Sequence, residues 1–178
     1  MTPATVGDLL TLLERGRSVF DEPGVDVLAH SLQCAAILAR EHPGDTELVA
    51  AGLLHDVADA HTPGDHTDHA RRGAAIVEPV LGARVAHLVA AHVHAKRYLV
   101  ATDPSYAAVL SGRSTETLAR QGGAMTAGEV ARFERDPDLG AILALRRADE
   151  RAKDPRADVP ALDSWRRLLE TVWERTRT

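Results

Sequence analysis

Apolar residues recur three and four positions apart along almost the whole chain. No stretch of Val, Ile or Thr alternates with polar residues as a strand would, so the pattern predicts an all-α fold. Ala, Leu, Arg and Glu, all good helix formers, dominate the composition. Thr5 and Asp8 open a first helix carrying Leu9, Leu10, Leu12 and Leu13, and a turn at Asp21 to Gly24 separates it from the next. The second helix runs from about Val25 to His42 and stops at Pro43-Gly44. Asp45 caps a third, whose Leu48, Ala51 and Leu54 face a core and whose last turn carries His55-Asp56. The polar segment Asp59 to Thr67, with Pro63-Gly64, reads as a loop.

Helices are expected next from about Asp68 to Val77 and from about Gly82 to Leu99, ending before Asp103-Pro104. Tyr106 to Ser111 and Thr115 to Gln121 read as brief helices around Gly112, and Thr126-Ala-Gly-Glu129 is a capping box that opens another. Asp138 to Asp154 and Leu162 to Thr176 close the chain. The short polar connection Lys153 to Pro160 and the absence of repeats or long linkers predict a single domain over residues 1–178.

Composition narrows the function classes. Of 178 residues, 44% are hydrophobic and 26% charged, as in a globular protein, and 21 Lys+Arg against 26 Asp+Glu give a net charge of -5. That balance speaks against nucleic acid as a partner. No uninterrupted apolar run of about 20 residues is present, so no membrane partner is expected. Asp8 and Glu14 stand where a signal peptide would be uncharged, and the lone Cys34 fits a reducing compartment, so the expected location is the cytoplasm. The anomaly is nine histidines.

Adjacent helical residues point about 100° apart, so His55 and Asp56 at a helix end can straddle one metal, or the Asp can bridge two. Alone, such a pair reads equally as surface or loop-capping groups. His30 shares the apolar face of Val27, Cys34 and Ile37 and points inward, where an unpaired imidazole is costly. By itself it reads as a hydrogen-bonded core histidine. Asp149, three residues after Arg146, reads alone as half of a surface ion pair. Ser114 stands just before an expected helix and reads as its cap. Cys34 reads as a small buried apolar group, and Trp165 and Trp173 as core or interface.

Together, His30, Leu-Leu-His55-Asp56 and a distant Asp149 resemble the H…HD…D signature of the HD-domain superfamily, helical metal-dependent phosphohydrolases with one oxygenase branch. The resemblance implies an HD-domain helical bundle covering most of the chain. His69 and His92 fit the two-metal members. If Asp56 bridges as it does there, one ion has His30, His55, Asp56 and Asp149, and the other has Asp56, His69 and His92. Two histidines and one carboxylate with open positions suit non-haem iron. A narrower resemblance lies in His92-Val-His-Ala-Lys-Arg-Tyr-Leu, Leu110-Ser111, Ser114, Gln121-Gly-Gly-Ala-Met125 and Leu145-Arg-Arg-Ala-Asp149-Glu-Arg-Ala-Lys153. These segments are similar to the HD oxygenases of phosphonate catabolism. The implied cofactors are two iron ions in a mixed-valent pair, with O2 as co-substrate. The implied reaction cleaves the carbon-phosphorus bond of a small 1-hydroxyalkylphosphonate to phosphate and a carboxylic acid. Lys96, Ser114 and Arg146 would hold the phosphonate; Lys96 is one turn beyond His92, and Arg146 almost one turn before Asp149. The alternative function is an HD-type phosphohydrolase acting on a phosphate ester.

Four positions depart from that pattern. After the HD pair the family has Gly then His, where this chain has Ala58 and Asp59, an anion that would repel a phosphonate. Phe20 and Pro23 stand where the family has Tyr and Glu, with Glu22 one place off. His42, His61, His66, His87 and His94 are not expected as ligands, although His66 is the nearest rival to His69.

Overall fold

The structure, a computed structural model, describes residues 3–61 and 68–177. Helix α1 (Val6–Glu14) starts on the expected capping box: Thr5 Oγ1 accepts from Asp8 N–H at 3.1 Å and Asp8 Oδ2 accepts from Thr5 N–H at 3.0 Å. The first departure from the all-helical reading follows it. Strands β1 (Phe20–Glu22) and β2 (Val25–Asp26) pair antiparallel. The expected turn reverses at Gly24, whose φ is +77°, and the flanking runs it brings together are too short to show strand alternation in the sequence. Asp26 then ends β2 and caps helix α2 (Val27–Glu41), accepting from Ala29 N–H at 2.8 Å.

Asp45 caps helix α3 (Thr46–Leu54), with Leu48 N–H donating to Oδ1 at 3.0 Å. His55 and Asp56 occupy the junction to helix α4 (Val57–His61), so residues 59–61 are helical where a loop was expected. Buried Val57, Ala58 and Ala60 supply an apolar side to this turn, which overrides the polar look of the segment. Residues 62–67 lie outside the described residues, and His66 with them.

Helix α5 (His69–Thr102) is broken at Gly82, with φ +83° and ψ 176°. That conformation is essentially restricted to glycine, and it turns the helix into an antiparallel hairpin with legs 69–81 and 83–102. The legs meet closely at Gly73, where a Cβ would stand 3.2 Å from Val89 Cγ1 and 3.4 Å from the His55 carbonyl oxygen. By length and composition α5 is apolar enough to cross a membrane. Here its apolar residues, among them Val77, Val80, Leu81, Val85, Leu88 and Val89, enter the core.

Helices α6 (Pro104–Ala108), α7 (Gly112–Arg120) and α8 (Ala127–Phe133) precede α9 (Leu139–Arg151), and α10 (Arg166–Arg175) follows a 3-10 turn at Leu162–Trp165. Helices α2, α3, α5 and α9 pack against one another around Leu38, Leu53, Leu54, Leu88, Ile142 and Leu145. Each such side chain contributes about 1.5–3 kcal/mol through burial. Cys34 and Trp165 are buried in the same core, and Trp173 packs against it. Helix α7 differs: only Ser114 and Thr117 of it are buried, so it docks through hydroxyls.

Candidate metal centre

Four elements converge on one buried point. His30 comes from α2, His55 and Asp56 from the α3–α4 junction, His69 and His92 from the two legs of α5, and Asp149 from α9. All four histidines and Asp149 are buried, so the expectation of a surface ion pair for Asp149 does not hold. The pairing itself does: Arg146 Nη1 donates to Asp149 Oδ2, inside the protein.

The two oxygens of Asp56 face two different histidine pairs. Oδ2 lies 3.3 Å from His55 Nε2 and 3.7 Å from His30 Nε2. Oδ1 lies 3.6 Å from His69 Nε2 and 3.7 Å from His92 Nε2. Asp149 Oδ1 completes the first group, 3.3 Å from His30 Nε2 and 3.8 Å from His55 Nε2.

The tautomers follow from the outer hydrogen bonds. His30 Nδ1 meets the Ala152 carbonyl at 2.8 Å, His55 Nδ1 the Gly52 carbonyl at 2.8 Å, and His92 Nδ1 the Val89 carbonyl at 2.6 Å. A carbonyl only accepts, so each Nδ1 carries the proton and each Nε2 presents a lone pair inward. Yet His30 and His55 face each other Nε2 to Nε2 at 3.1 Å, and His69 and His92 do so at 2.9 Å. Facing lone pairs at that distance repel unless a proton or a cation lies between them. The donor set therefore fits two cations, one per histidine pair, with Asp56 between them.

Charge in the site agrees with this fit. Burial alone would raise both carboxyls, but His55 beside Asp56 and Arg146 beside Asp149 hold them well below the usual carboxylate range. Burial and the neighbouring His69 push His92 down to about 3, leaving it neutral and ready to ligate. For His55, burial opposes protonation but Asp56 outweighs it and raises the group well above its ordinary value. A proton on His55 thus competes with a cation.

Beside this centre lies a cavity of about 60 Å³ with a cationic wall: Lys96 from α5, Arg113 from α7, Arg146 from α9, and Lys153 beyond it. Lys96 Nζ donates to Thr117 Oγ1 at 2.7 Å. Ser114 does not cap α7; Ser111 does, accepting from Ser114 N–H at 3.1 Å. Ser114 Oγ instead accepts from Arg146 Nη2 at 3.1 Å and Lys153 Nζ at 3.2 Å, and donates to Glu150 Oε2 at 2.8 Å. Lys96, Ser114 and Arg146 thus share one cavity with the histidine cluster, and none of them is a solvated surface group. Asp59 also lines it and is only 4% exposed. Phe20 is 64% exposed, and neither it nor Pro23 lines the cavity.

Thr117, Gln121, Arg113 and Lys153 also line this site, although the sequence assigned none of them a role there. The spacing of Ser114, Thr117 and Gln121 on one face of a helix was the available signal. His42, His87 and His94 are exposed and take no part. His87 forms a surface group with Asp136 and Asp138, where His87 Nε2 meets Asp136 Oδ2 at 2.9 Å and Asp138 Oδ1 accepts from Arg84 Nε at 2.9 Å, an ion-pair network in itself.

Known proteins bear on this arrangement. The chain is 37% identical over 159 residues, 85% of its length and 80% of the relative's, to (1-hydroxy-2-(trimethylamino)ethyl)phosphonate dioxygenase (glycine-betaine-forming) of Leisingera caerulea. It is 35% identical over 184 aligned positions, 96% of its length and 90% of the relative's, to hydroxymethylphosphonate dioxygenase of Gimesia maris. The HD domain family profile matches residues 27–149, a span that begins three residues before His30 and ends on Asp149. This chain belongs to the HD-domain family.

Proposed function

We propose that the protein is a di-iron oxygenase that uses O2 to cleave the carbon-phosphorus bond of a 1-hydroxyalkylphosphonate, giving phosphate and a carboxylic acid. The observation that carries this reading is the pair of histidine sets sharing Asp56 beside a buried cationic wall. The similarity to two phosphonate dioxygenases supports oxygenation over ester hydrolysis. In this reading His30, His55, Asp56 and Asp149 hold one iron and Asp56, His69 and His92 the other. The mixed-valent pair supplies the redox chemistry with O2. The enzyme is a single cytoplasmic HD domain whose partner is a small molecule.

The residues around the centre do the rest. Arg146, Lys96 and Ser114 take the phosphonate oxygens, with Arg146 offering planar N–H donors and Lys96 a compact charge. Burial and the nearby Arg146 charge bring Lys96 down to about 8, so it is still mostly protonated at neutral pH. An arriving anion offsets its desolvation. Because Arg146 also binds Asp149, the anion is held in fixed register with the first ligand set. Low exposure of the whole group keeps bulk water from the reacting carbon. Asp59 lines the cavity where the family's histidine would stand, which sets an anion beside the phosphonate site and leaves Lys96, Arg146 and Ser114 to offset it.

With iron-loaded protein and a 1-hydroxyalkylphosphonate, phosphate release is expected to require O2 and to stop under strict anaerobiosis. Labelled O2 is expected to leave label in the carboxylic acid. Equal phosphate release without O2, or turnover of phosphate esters alone, would establish the hydrolase instead. Several substrates with uncharged or bulkier ends belong in the assay, because Asp59, Phe20 and Pro23 replace the residue types that the family's pocket has.

A further inference from the structure

Arg146 is held from behind by a residue that does not line the cavity. Its Nε–H donates to the hydroxyl of Tyr106 at 2.6 Å, Nη1 donates to Asp149, and Nη2 donates to Glu150 and to Ser114 Oγ. Every nitrogen of the guanidinium is therefore directed, and the Nε edge is directed by Tyr106. Tyr106 is buried on α6, outside the set of residues lining the cavity beside the histidine cluster.

Helix α6 is itself fixed to α9 at the neighbouring residue. Asp103 caps α6, accepting from the N–H groups of Ser105 and Tyr106 at 3.1 Å each, and its Oδ2 accepts from Arg147 Nη2 at 2.8 Å. The Arg147 guanidinium also lies 5.9 Å from the centroid of the Tyr106 ring. Successive arginines of α9 are thus gripped by one short helix, Arg147 at its cap and Arg146 through its phenol.

The chemistry of the acceptor matters. Arg146, Lys96 and Lys153 face two carboxylates, Asp149 and Glu150, in this wall. A further carboxylate at the Nε edge would reduce the positive charge that Arg146 offers an anion. A phenol orients the guanidinium and leaves that charge in place for an anion. Burial pushes the Tyr106 hydroxyl up to about 12 against the pull of Arg146, so it remains neutral.

We infer that Tyr106 is a positioning residue for anion binding, setting the orientation of Arg146 without touching substrate. The inference rests on the proposed phosphonate site, and the experiment separates the two. Methylphosphonate, which lacks the reacting hydroxyl, is titrated by calorimetry into iron-loaded parent, Tyr106→Phe, Lys96→Ala and Arg146→Ala. Tyr106→Phe is expected to weaken binding about tenfold or more, the usual effect of losing a hydrogen bond to a charged group. Metal content is expected to stay that of the parent, and in turnover KM is expected to rise while kcat changes little. Parent-like affinity in Tyr106→Phe, with weakened binding in Lys96→Ala, overturns the role of Tyr106 alone. Parent-like affinity in Lys96→Ala and Arg146→Ala overturns the phosphonate site itself, and the inference with it. Should Tyr106→Phe not fold, Asp103→Asn keeps the phenol but loosens the grip on Arg147. A weakening of about threefold is expected there, in the range of a partly exposed ion pair, and unchanged binding overturns the inference equally.

Discussion

Replacing Asp56 by Ala removes the one carboxylate that serves both histidine pairs. Its Oδ1 stands 3.6 and 3.7 Å from His69 and His92, and its Oδ2 stands 3.3 and 3.7 Å from His55 and His30. After the change the second set keeps two imidazoles and no anion. The first set keeps His30, His55 and Asp149. Loss of a mere outer partner of a metal ligand costs about 10–100-fold in affinity, so loss of a ligand sets at least that penalty on each ion. The penalty is heavier at the second ion, which we place at more than about 100-fold because its only charged ligand is gone. Equilibrium dialysis against ferrous iron, with metal counted per chain, reads both losses: the second ion disappears first, and the first follows as free iron is lowered. His69→Ala provides the contrast, losing the second ion while the first binds as in the parent. Two ions retained at parent affinity in Asp56→Ala would refute the shared-carboxylate geometry.

Affinity for the anion is expected to fall as pH rises above about 8, because Lys96 must be protonated to attract it and burial lowers its pKa to about that value. Between pH 7 and pH 9, methylphosphonate binding by the parent is expected to fall roughly tenfold relative to Lys96→Arg, whose charge persists while the anion's own ionisation cancels in the comparison; a constant ratio would contradict this. Gly82→Ala forces a side chain into a conformation costing about 1–3 kcal/mol and sets its Cβ 2.8 Å from Thr176 Cγ2. A drop in thermal midpoint of roughly 2–12 °C is expected by calorimetry, and an unchanged midpoint would show that the hairpin turn tolerates a side chain.

The helices were legible where local signals agree. Thr5 with Asp8 and Asp45 before Leu48 each combine a cap with an apolar stripe, Thr126 with Glu129 forms a full capping box, and all three helices start there. The break inside α5 was legible as well, because Pro79 and Gly82 interrupt an otherwise continuous apolar pattern. The β1–β2 hairpin was not, since two- and three-residue strands carry no periodicity. Helix α4 was hidden by the polar Asp59 and His61. In the site, His55-Asp56 stood out because both residues are adjacent in sequence. Asp149 and Ser114 were ambiguous because the partners that decide their roles lie far along the chain, His30 for Asp149 and Arg146 for Ser114. Tyr106 left no local trace: its partner is 40 positions distant, and a lone tyrosine on a short helix has no pattern to join.

The turn at Gly82 also bears on which insertions and deletions this chain can accept. On a straight helix, residues 23 positions apart would be separated by about 35 Å, yet His69 and His92 meet at 2.9 Å. Their meeting depends on the number of residues in each leg. Adding or removing one residue between either histidine and Gly82 rotates that imidazole by about 100° and shifts it by about 1.5 Å. Neither leg has a loop to absorb the change. The ligands on α2, α3 and α9 do not feel it, because their spacing runs through separate elements joined by turns. Length variation among related chains is therefore expected in the connections outside this hairpin, and a chain with an unequal leg would keep the first ligand set while losing the second.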